Sequence, residues 1–161
     1  MIIKLFHGSN IEIKSIDLTK GLIDKDFGKG FYLTDILSQA QEMAVRRVRI
    51  DGSGQPYVTS YLFNNDLLAD KNLKVKIFSD TPSADWAKFI IQNRNASKTG
   101  FHHNYDIVIG PVADDGVAFQ LERYNEGIIS MRTLVKELTY RKLNRQYFFG
   151  TEKAINTLQK I

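Results

Sequence analysis

The chain has 161 residues, of which 43% are hydrophobic and 25% charged, and it contains no cysteine. This composition predicts one compact domain over residues 1–161, and it excludes disulfides, thiol nucleophiles and thiolate metal sites. Lysine and arginine number 22 against 18 acidic residues, so the net charge of +4 mildly favours an anionic partner. No apolar run approaches the roughly 18 residues of a membrane span, and residues 1–10 lack a secretion signal. We therefore expect a cytoplasmic protein with no membrane partner.

Short runs of β-branched and aromatic residues predict six strands. The first opens the chain around Ile2 and Phe6 and is stopped by Gly8, Ser9 and Asn10. The second follows a pair of glycines, Gly28 and Gly30. This second strand covers residues 31–34. The other four predicted strands cover residues 57–63, 73–78, 106–112 and 146–149.

Apolar residues at helical spacing predict five helices. The first begins near Ile36, carries Arg46, Arg47 and Arg49 near its end, and stops at Gly52. The next opens at Thr81-Pro82-Ser83, which resembles a cap with Pro82 at the first helical position, and runs to about residue 93. Three more are predicted from their capping residues, at Asp114, at Ser130 and, for a closing helix over 151–160, at Thr151. Strands and helices in this mixed order indicate an α+β fold.

The end of the first strand is a place where a ligand could approach the backbone. Gly8 permits close approach, and His7 and Ser9 offer hydrogen-bonding groups to a polar ligand. A histidine satisfied within a turn is the alternative interpretation. His102 and His103 are neighbours in a polar loop and should point apart, so we expect no metal site.

Three other groups have both a chemical and a structural interpretation. The glycine-bracketed segment 26–32 has neither the spacing of a phosphate loop nor that of a dinucleotide fingerprint. Asp114 and Asp115 could be paired carboxylates, but after a strand they are typical of a turn and helix start. The cluster Arg46, Arg47 and Arg49 could hold the phosphates of a nucleic acid, or it could be a solvated helix face.

Two segments carry a family resemblance. Residues 5–9, Leu-Phe-His-Gly-Ser, and 27–35, Phe-Gly-Lys-Gly-Phe-Tyr-Leu-Thr-Asp, resemble the first two motifs of ADP-ribosyltransferases of the poly(ADP-ribose) polymerase and diphtheria-toxin type. Residues 38–40, 105–115 and 151–154 are similar to an uncharacterised bacterial domain family placed in that superfamily. The resemblance implies the ADP-ribosyltransferase fold, in which split, mixed β-sheets flanked by helices enclose an NAD cleft.

The resemblance also implies roles for individual residues. His7 would hydrogen-bond the adenosine ribose of NAD, and the Gly8 backbone would hold the nicotinamide carboxamide. Tyr32 would stack on the nicotinamide ring, and Ser9 and Gly30 belong to the same NAD-binding motifs. No metal is implied. A second stacking tyrosine and a helix serine of the aromatic-rich members are replaced by Met43 and Ala40, which argues against a polymerase.

The position of the usual catalytic carboxylate holds an amide in this sequence. The final strand of the family supplies a carboxylate to the ribose hydroxyl, and the matching position here is Gln146. Glutamine can orient the ribose but brings no charge, and losing one such electrostatic group often costs about 2.7 to 4 kcal/mol of transition-state stabilisation. Glu152, six residues later, is the nearest carboxylate, although its place in a helix's first turn also suits the helix dipole.

These residues predict an NAD-dependent mono-ADP-ribosyltransferase with Gln146, Tyr32 and Glu152 as catalytic candidates. NAD is the substrate, and the ADP-ribose acceptor, a protein, nucleic acid or small molecule, is not specified. Family membership makes a toxin of a toxin–antitoxin pair plausible, with an antitoxin protein as a partner. An NAD-binding module without turnover and a basic nucleic-acid-binding domain are the alternative hypotheses.

Overall fold

Two β-sheets, which meet at one point, form the centre of the computed structural model, which describes residues 1–161. The first is antiparallel, in the order β1 (Ile2–Ser9), β3 (Tyr57–Asn64) and β7 (Gln159–Lys160). The second is mixed, in the order β2 (Phe31–Leu33), β6 (Arg145–Phe149), β5 (Ile107–Pro111) and β4 (Val75–Ile77), with only β4 and β5 parallel.

The two sheets are tied together between β1 and the residue that follows β2. Phe6 and Thr34 exchange backbone hydrogen bonds, with N···O distances of 2.7 and 2.9 Å. Beyond this single bridge β1 pairs with β3, and β2 pairs with β6. The first strand of each sheet therefore lies beside that of the other, and the bridge places His7 and Tyr32, which lie close to its two ends, near the junction.

Six α-helices flank the sheets, together with two 3₁₀ helices at Leu18–Lys20 and Asn65–Ala69. The helices are α1 (Leu37–Asp51), α2 (Ala84–Arg94), α3 (Ala96–Thr99), α4 (Asp115–Asn125), α5 (Met131–Leu138) and α6 (Glu152–Ile155). Side chains of Ser83, Asp114, Ser130 and Thr151 each accept a backbone N–H in the first turn of the helix they precede, which satisfies groups that have no partner inside the helix. None of the helices is both long and apolar enough to cross a bilayer.

The alternation of side chains along β6 divides the interior into two hydrophobic clusters. Tyr147 and Phe149 belong to the cluster between the sheets, which also contains Leu5 and Phe63. Phe148 points to the other face and packs in a cluster built largely from β5, α2, α4 and α5: Phe27, Phe78, Trp86, Ala87, Phe89, Ile90, Val108, Val117, Leu121, Leu134 and Leu138. Burying each large apolar side chain contributes roughly 1.5 to 3 kcal/mol, so β6 is held from both sides.

The α+β prediction is confirmed, and the structure corrects the prediction for the C-terminal segment. The closing helix predicted over 151–160 is wrong: α6 ends at Ile155, and the chain then pairs with β3 as β7, with Leu62 opposite Gln159. Within α6 only Ala154 and Ile155 are buried, so a longer helix would gain little burial. Pairing with the edge of β3 instead satisfies backbone groups of both strands.

Two smaller differences concern the helices. The helix predicted after Thr81 begins at Ala84, because the Ser83 hydroxyl, and not that of Thr81, accepts the Trp86 N–H at 3.2 Å. The short helix α3 was not predicted, since its four residues are too few to show a period.

Candidate functional site

His7, near the end of β1, is held by the backbone of β2. Its Nδ1 lies 2.7 Å from the Tyr32 carbonyl oxygen, and its ring stacks on Phe31 with centroids 4.3 Å apart. A carbonyl only accepts, so Nδ1 carries the proton and Nε2 holds a free lone pair. Burial lowers the pKa of His7, and the hydrogen bond to Tyr32 opposes this effect. The imidazole is therefore a neutral acceptor at Nε2, which has no partner in the protein.

Tyr32 is fixed at both ends of its side chain. Its hydroxyl donates to the Gly28 carbonyl at 2.6 Å and accepts the Phe27 N–H at 3.0 Å. Its ring meets Phe148 edge-on, with centroids 5.2 Å apart. Burial raises the pKa of the Tyr32 phenol, so the hydroxyl stays protonated and keeps the turn at Phe27 and Gly28 closed.

Gln146 lies on the same face of the second sheet as Tyr32. Tyr32 pairs with Phe148 in the ladder between β2 and β6, and Gln146 is two residues from Phe148, so the three side chains share one face. The Gln146 amide nitrogen donates to the Asp26 carboxylate (Oδ2) at 3.1 Å and to the Pro111 carbonyl at 3.2 Å. Both N–H groups are used, and Oε1 keeps its acceptor capacity free.

Asp26 connects Gln146 to the Tyr32 turn and to a cation. Its other oxygen, Oδ1, lies 2.8 Å from Arg94 Nε and 2.7 Å from Arg94 Nη2. The Asp26 side chain is only 15% exposed, so this charge is paired within the protein. Sequence reasoning missed both Asp26 and Arg94 as site residues. The available signal was the carboxylate at the start of the segment 26–32.

The glycines of the two motifs are required by packing. A Cβ on Gly8 would lie 2.0 Å from the Ala40 carbonyl oxygen, so the missing side chain lets α1 approach β1. A Cβ on Gly30 would lie 2.3 Å from the Phe148 ring. Ser9 is buried, and its hydroxyl accepts the Ile11 N–H at 3.4 Å. These contacts account for the small residues at the sheet junction before any ligand is considered.

Glu152 is not brought to Gln146. Gln146 pairs with Gly110, whereas Gly150, at the other end of β6, donates its N–H to the Asp106 carbonyl, and Glu152 begins α6 beyond it. At roughly 3.3 Å per strand residue, Gln146 and Gly150 alone are about 13 Å apart along β6. Glu152 is exposed in the first turn of α6, where an acidic side chain suits the helix dipole.

The remaining candidates make structural contacts of their own. Asp114 caps α4 by accepting the Val117 N–H at 2.8 Å, and Asp115 opens the helix, in keeping with their structural interpretation. In the loop before β5, His103 Nε2 lies 2.6 Å from the Phe27 carbonyl oxygen. Arg47 forms an ion pair with Asp51 at 3.2 Å on the surface of α1.

The described geometry supplies two neutral acceptors on opposite faces of the second sheet: the His7 ring rests on Phe31, on the side of Tyr147 and Phe149, whereas Gln146 shares the side of Phe148. Nε2 of His7 and Oε1 of Gln146 each lack a partner, and both side chains are held in place through their other ring or amide nitrogen. Such acceptors suit the hydroxyl groups of a sugar. The His7 ring contacts Phe31 and the backbone of Tyr32, not the Tyr32 ring, which faces Phe148.

A family model described as "Protein of unknown function (DUF3990)" matches residues 3–160. The search of curated proteins found no match. The family match covers both sheets and both acceptor residues, His7 and Gln146, so it concerns the whole domain rather than one motif.

Proposed function

The chain belongs to the DUF3990 family of proteins of unknown function, and from its sequence motifs and the hydrogen bonds that hold His7, Tyr32 and Gln146 we propose that it is an NAD-dependent mono-ADP-ribosyltransferase. The observation that carries the proposal is the fixed orientation of Gln146. Asp26 and the Pro111 carbonyl take its two N–H groups, so the free Oε1 is the atom that can meet a ribose hydroxyl. This is the position at which the resembling transferases carry a carboxylate.

His7, Gln146 and Tyr32 each offer NAD a contact. Neutral His7 offers Nε2 as an acceptor for a ribose hydroxyl, because its Nδ1–H is committed to the Tyr32 carbonyl. Gln146 offers a second acceptor. The Tyr32 side chain is anchored through its hydroxyl, which leaves its ring as a preorganised surface, and aromatic stacking contributes about 0.5 to 1.5 kcal/mol beyond area burial.

The reaction requires stabilisation of positive charge on a sugar. When NAD is bound, its C1′–N bond breaks with the electron pair leaving on nicotinamide, and the acceptor nucleophile bonds to C1′ and releases its proton. Gln146 supplies a dipole to the adjacent hydroxyl, where a carboxylate would supply a full charge. Asp26 places negative charge behind that dipole, and Arg94 offsets part of it. We therefore expect slow turnover.

The test is nicotinamide release from NAD by the purified protein, with and without cell lysate as a source of protein and nucleic-acid acceptors. Gln146→Ala and His7→Gln should reduce release. Tyr32→Phe keeps the ring that would stack on nicotinamide and should leave release largely intact. Tyr32→Ala removes that ring and should abolish release, and its melting temperature is measured alongside because losing a packed aromatic ring costs about 3 to 5 kcal/mol. Absence of both nicotinamide release and NAD-dependent thermal stabilisation at millimolar NAD would overturn the proposal.

A second candidate function is favoured by the amide at Gln146 itself. A domain that binds NAD without turnover needs the acceptors but not the carboxylate. In that case NAD raises the melting temperature, His7→Gln and Gln146→Ala reduce the shift, and no nicotinamide is released. Release that depends on lysate would instead identify the transferase, and the labelled component would name the acceptor.

A further inference from the structure

A cavity of about 370 Å³ opens on the far side of the turn that anchors Tyr32. Its lining includes Gly28 and Phe148, but none of His7, Tyr32 and Gln146. We propose that this cavity binds the phosphate group of a mononucleotide, as a site separate from His7, Tyr32 and Gln146. The volume lies within the lower part of the range of small-molecule pockets in proteins.

The charge at the cavity favours an anion. Lys29, Lys74 and Lys153 are exposed lining residues, and none of them has a carboxylate within 4.0 Å, because the five ion pairs of the structure involve other cations. Three lysines therefore face one opening without a paired anion. Lys153 Nζ donates to the Asn72 carbonyl at 3.0 Å, but that acceptor is neutral, and a phosphate group would bring the negative charge that all three ammonium groups lack.

The two carboxylates of the lining, on Asp24 and Asp106, are already occupied. Asp106 accepts the Lys74 N–H and the Thr151 hydroxyl, both at 2.7 Å. Asp24 accepts the N–H and the hydroxyl of Ser97, at 2.8 and 2.6 Å. Hydrogen bonds lower the pKa of Asp24, and for Asp106 they outweigh the opposing effect of burial, so both stay ionised and the lining keeps a net positive charge.

A buried amide points to a ligand with hydrogen-bond donors. Asn93 is only 2% exposed, and it lines the cavity. Its nitrogen donates to the Phe89 carbonyl at 2.8 Å, whereas its Oδ1 accepts no hydrogen bond from the protein and is not fully enclosed. That oxygen lies 3.2 Å from the point where a Cβ on Gly28 would sit, so the glycine leaves it open to the cavity. Inorganic phosphate alone would leave this acceptor unused, whereas an N–H of a nucleobase would satisfy it.

The wall beside Asn93 is rigid and aromatic. His103 donates from Nε2 to the Phe27 carbonyl and accepts the Tyr105 N–H at Nδ1, at 2.6 and 3.1 Å, so both ring nitrogens are used. Phe101 and Tyr105 add aromatic surface to the lining. The cavity thus combines a cationic rim, an unused buried acceptor and aromatic walls, which together suit a phosphate, an amino-bearing base and its ring.

The experiment titrates the full chain with AMP and with inorganic phosphate, using calorimetry and thermal shift. We expect AMP to bind more tightly than phosphate. Lys74→Gln combined with Lys153→Gln should weaken AMP binding about tenfold, because two charge-assisted contacts are lost. Lys88→Gln, at an exposed lysine of α2 with no ion pair, is the matched control and should change nothing. The two cavity lysines are exposed, so their replacement should leave the fold intact.

Two further arms separate this site from the proposed NAD cleft. AMP carries the adenosine ribose that His7 would bind, so His7→Gln is combined with the double lysine variant. The cavity accounts for the AMP binding that persists in His7→Gln and is lost when the lysine substitutions are added. Competition between NAD and AMP, with both weakened by the lysine variant, would identify NAD as the source of the bound phosphate and would support the site. AMP binding that is unchanged in the double lysine variant, or no binding of AMP at millimolar concentration, would overturn the proposal.

Discussion

The amide nitrogen of Gln146 lies 3.1 Å from the Asp26 carboxylate, although 120 residues separate them along the chain. Asp26 also forms an ion pair with Arg94. The next two residues hydrogen-bond the Tyr32 hydroxyl: the Phe27 N–H donates to it, and the Gly28 carbonyl accepts from it. The Asp26 carboxylate therefore connects β6, which carries Gln146, to α2, which carries Arg94, and to the turn that anchors Tyr32. Gln146 is an oriented group because of this contact.

Replacing Asp26 with asparagine should reduce nicotinamide release through kcat. The charged acceptor that fixes the Gln146 amide is lost, so we expect kcat to fall about tenfold, the equivalent of about 1.4 kcal/mol, with little change in KM. Asp85→Asn, at an exposed carboxylate in the first turn of α2, is the control. Equal activity of the two variants, with unchanged melting temperatures, would contradict the positioning role.

Exchanging the amide and the carboxylate between positions 146 and 26 should give faster nicotinamide release than the two single changes predict. Gln146→Glu places a second carboxylate against Asp26, and two like charges at that distance disfavour ionisation of one of them. The double variant Gln146→Glu with Asp26→Asn keeps one amide and one carboxylate but moves the charge toward the ribose side. We expect its rate of nicotinamide release to exceed the product of the single-variant effects. Additive effects in this double-mutant cycle would show that the residues do not couple.

Acid should destabilise the folded protein through two histidines. Burial lowers the pKa of His7 and of His103 from the ordinary value of 6.5. The unfolded chain therefore binds protons at a higher pH than the folded protein. The contribution of these two histidines to the free energy of unfolding is fully present above about pH 6.5. It is lost as the pH falls through 6.5 toward the folded pKa values.

Thermal melting between pH 7.5 and 5 measures this linkage. His7→Gln and His103→Gln should each flatten the dependence of melting temperature on pH. A wild-type melting temperature that rises on acidification would show that the shifts have the opposite sign.

Adding a methyl group at Gly8 should disturb the junction of α1 and β1 without any ligand. The Cβ would lie 2.0 Å from the Ala40 carbonyl oxygen, which is backbone and cannot rotate away. Gly8→Ala should lower the free energy of unfolding by about 1 to 3 kcal/mol or more, as overpacking does. Gly116→Ala is the control, because its Cβ would meet only the flexible end of Arg141. Chemical denaturation of both variants is the measurement, and equal stability would refute the packing role.

Removing the hydroxyl of Tyr61 should stabilise the protein. This hydroxyl is buried between the sheets and has no hydrogen-bond partner, and burial raises its pKa to about 12. Tyr61→Phe removes an unsatisfied polar group and should increase the free energy of unfolding by about 1 kcal/mol. Tyr147→Phe, which loses a hydroxyl that donates to Asp35 at 3.4 Å, should give no increase. A decrease in the stability of Tyr61→Phe would indicate a partner for that hydroxyl.

Local sequence patterns were sufficient for most elements of the fold. Apolar spacing placed α1, and capping residues placed the starts of α4 and α5 at Asp114 and Ser130. Apolar spacing and capping depend on residues that are close together in the sequence, so they predict where an element lies without knowledge of the tertiary structure. They failed after Thr151, where a helix start was correct but the end at Ile155 depends on pairing with β3, almost 100 residues earlier.

The sequence by itself determined the α+β class, most element positions and the motif residues His7, Tyr32 and Gln146. Only the tertiary structure decided how those residues are held. The Asp26 carboxylate orients the Gln146 amide by a hydrogen bond, and Nδ1 of His7 is hydrogen-bonded to the Tyr32 carbonyl. Glu152 lies beyond the opposite end of β6 from Gln146. The reason is physical: periodicity reflects which face of an element is buried, whereas hydrogen bonds between side chains form only after distant elements have packed and fixed each donor and acceptor in space.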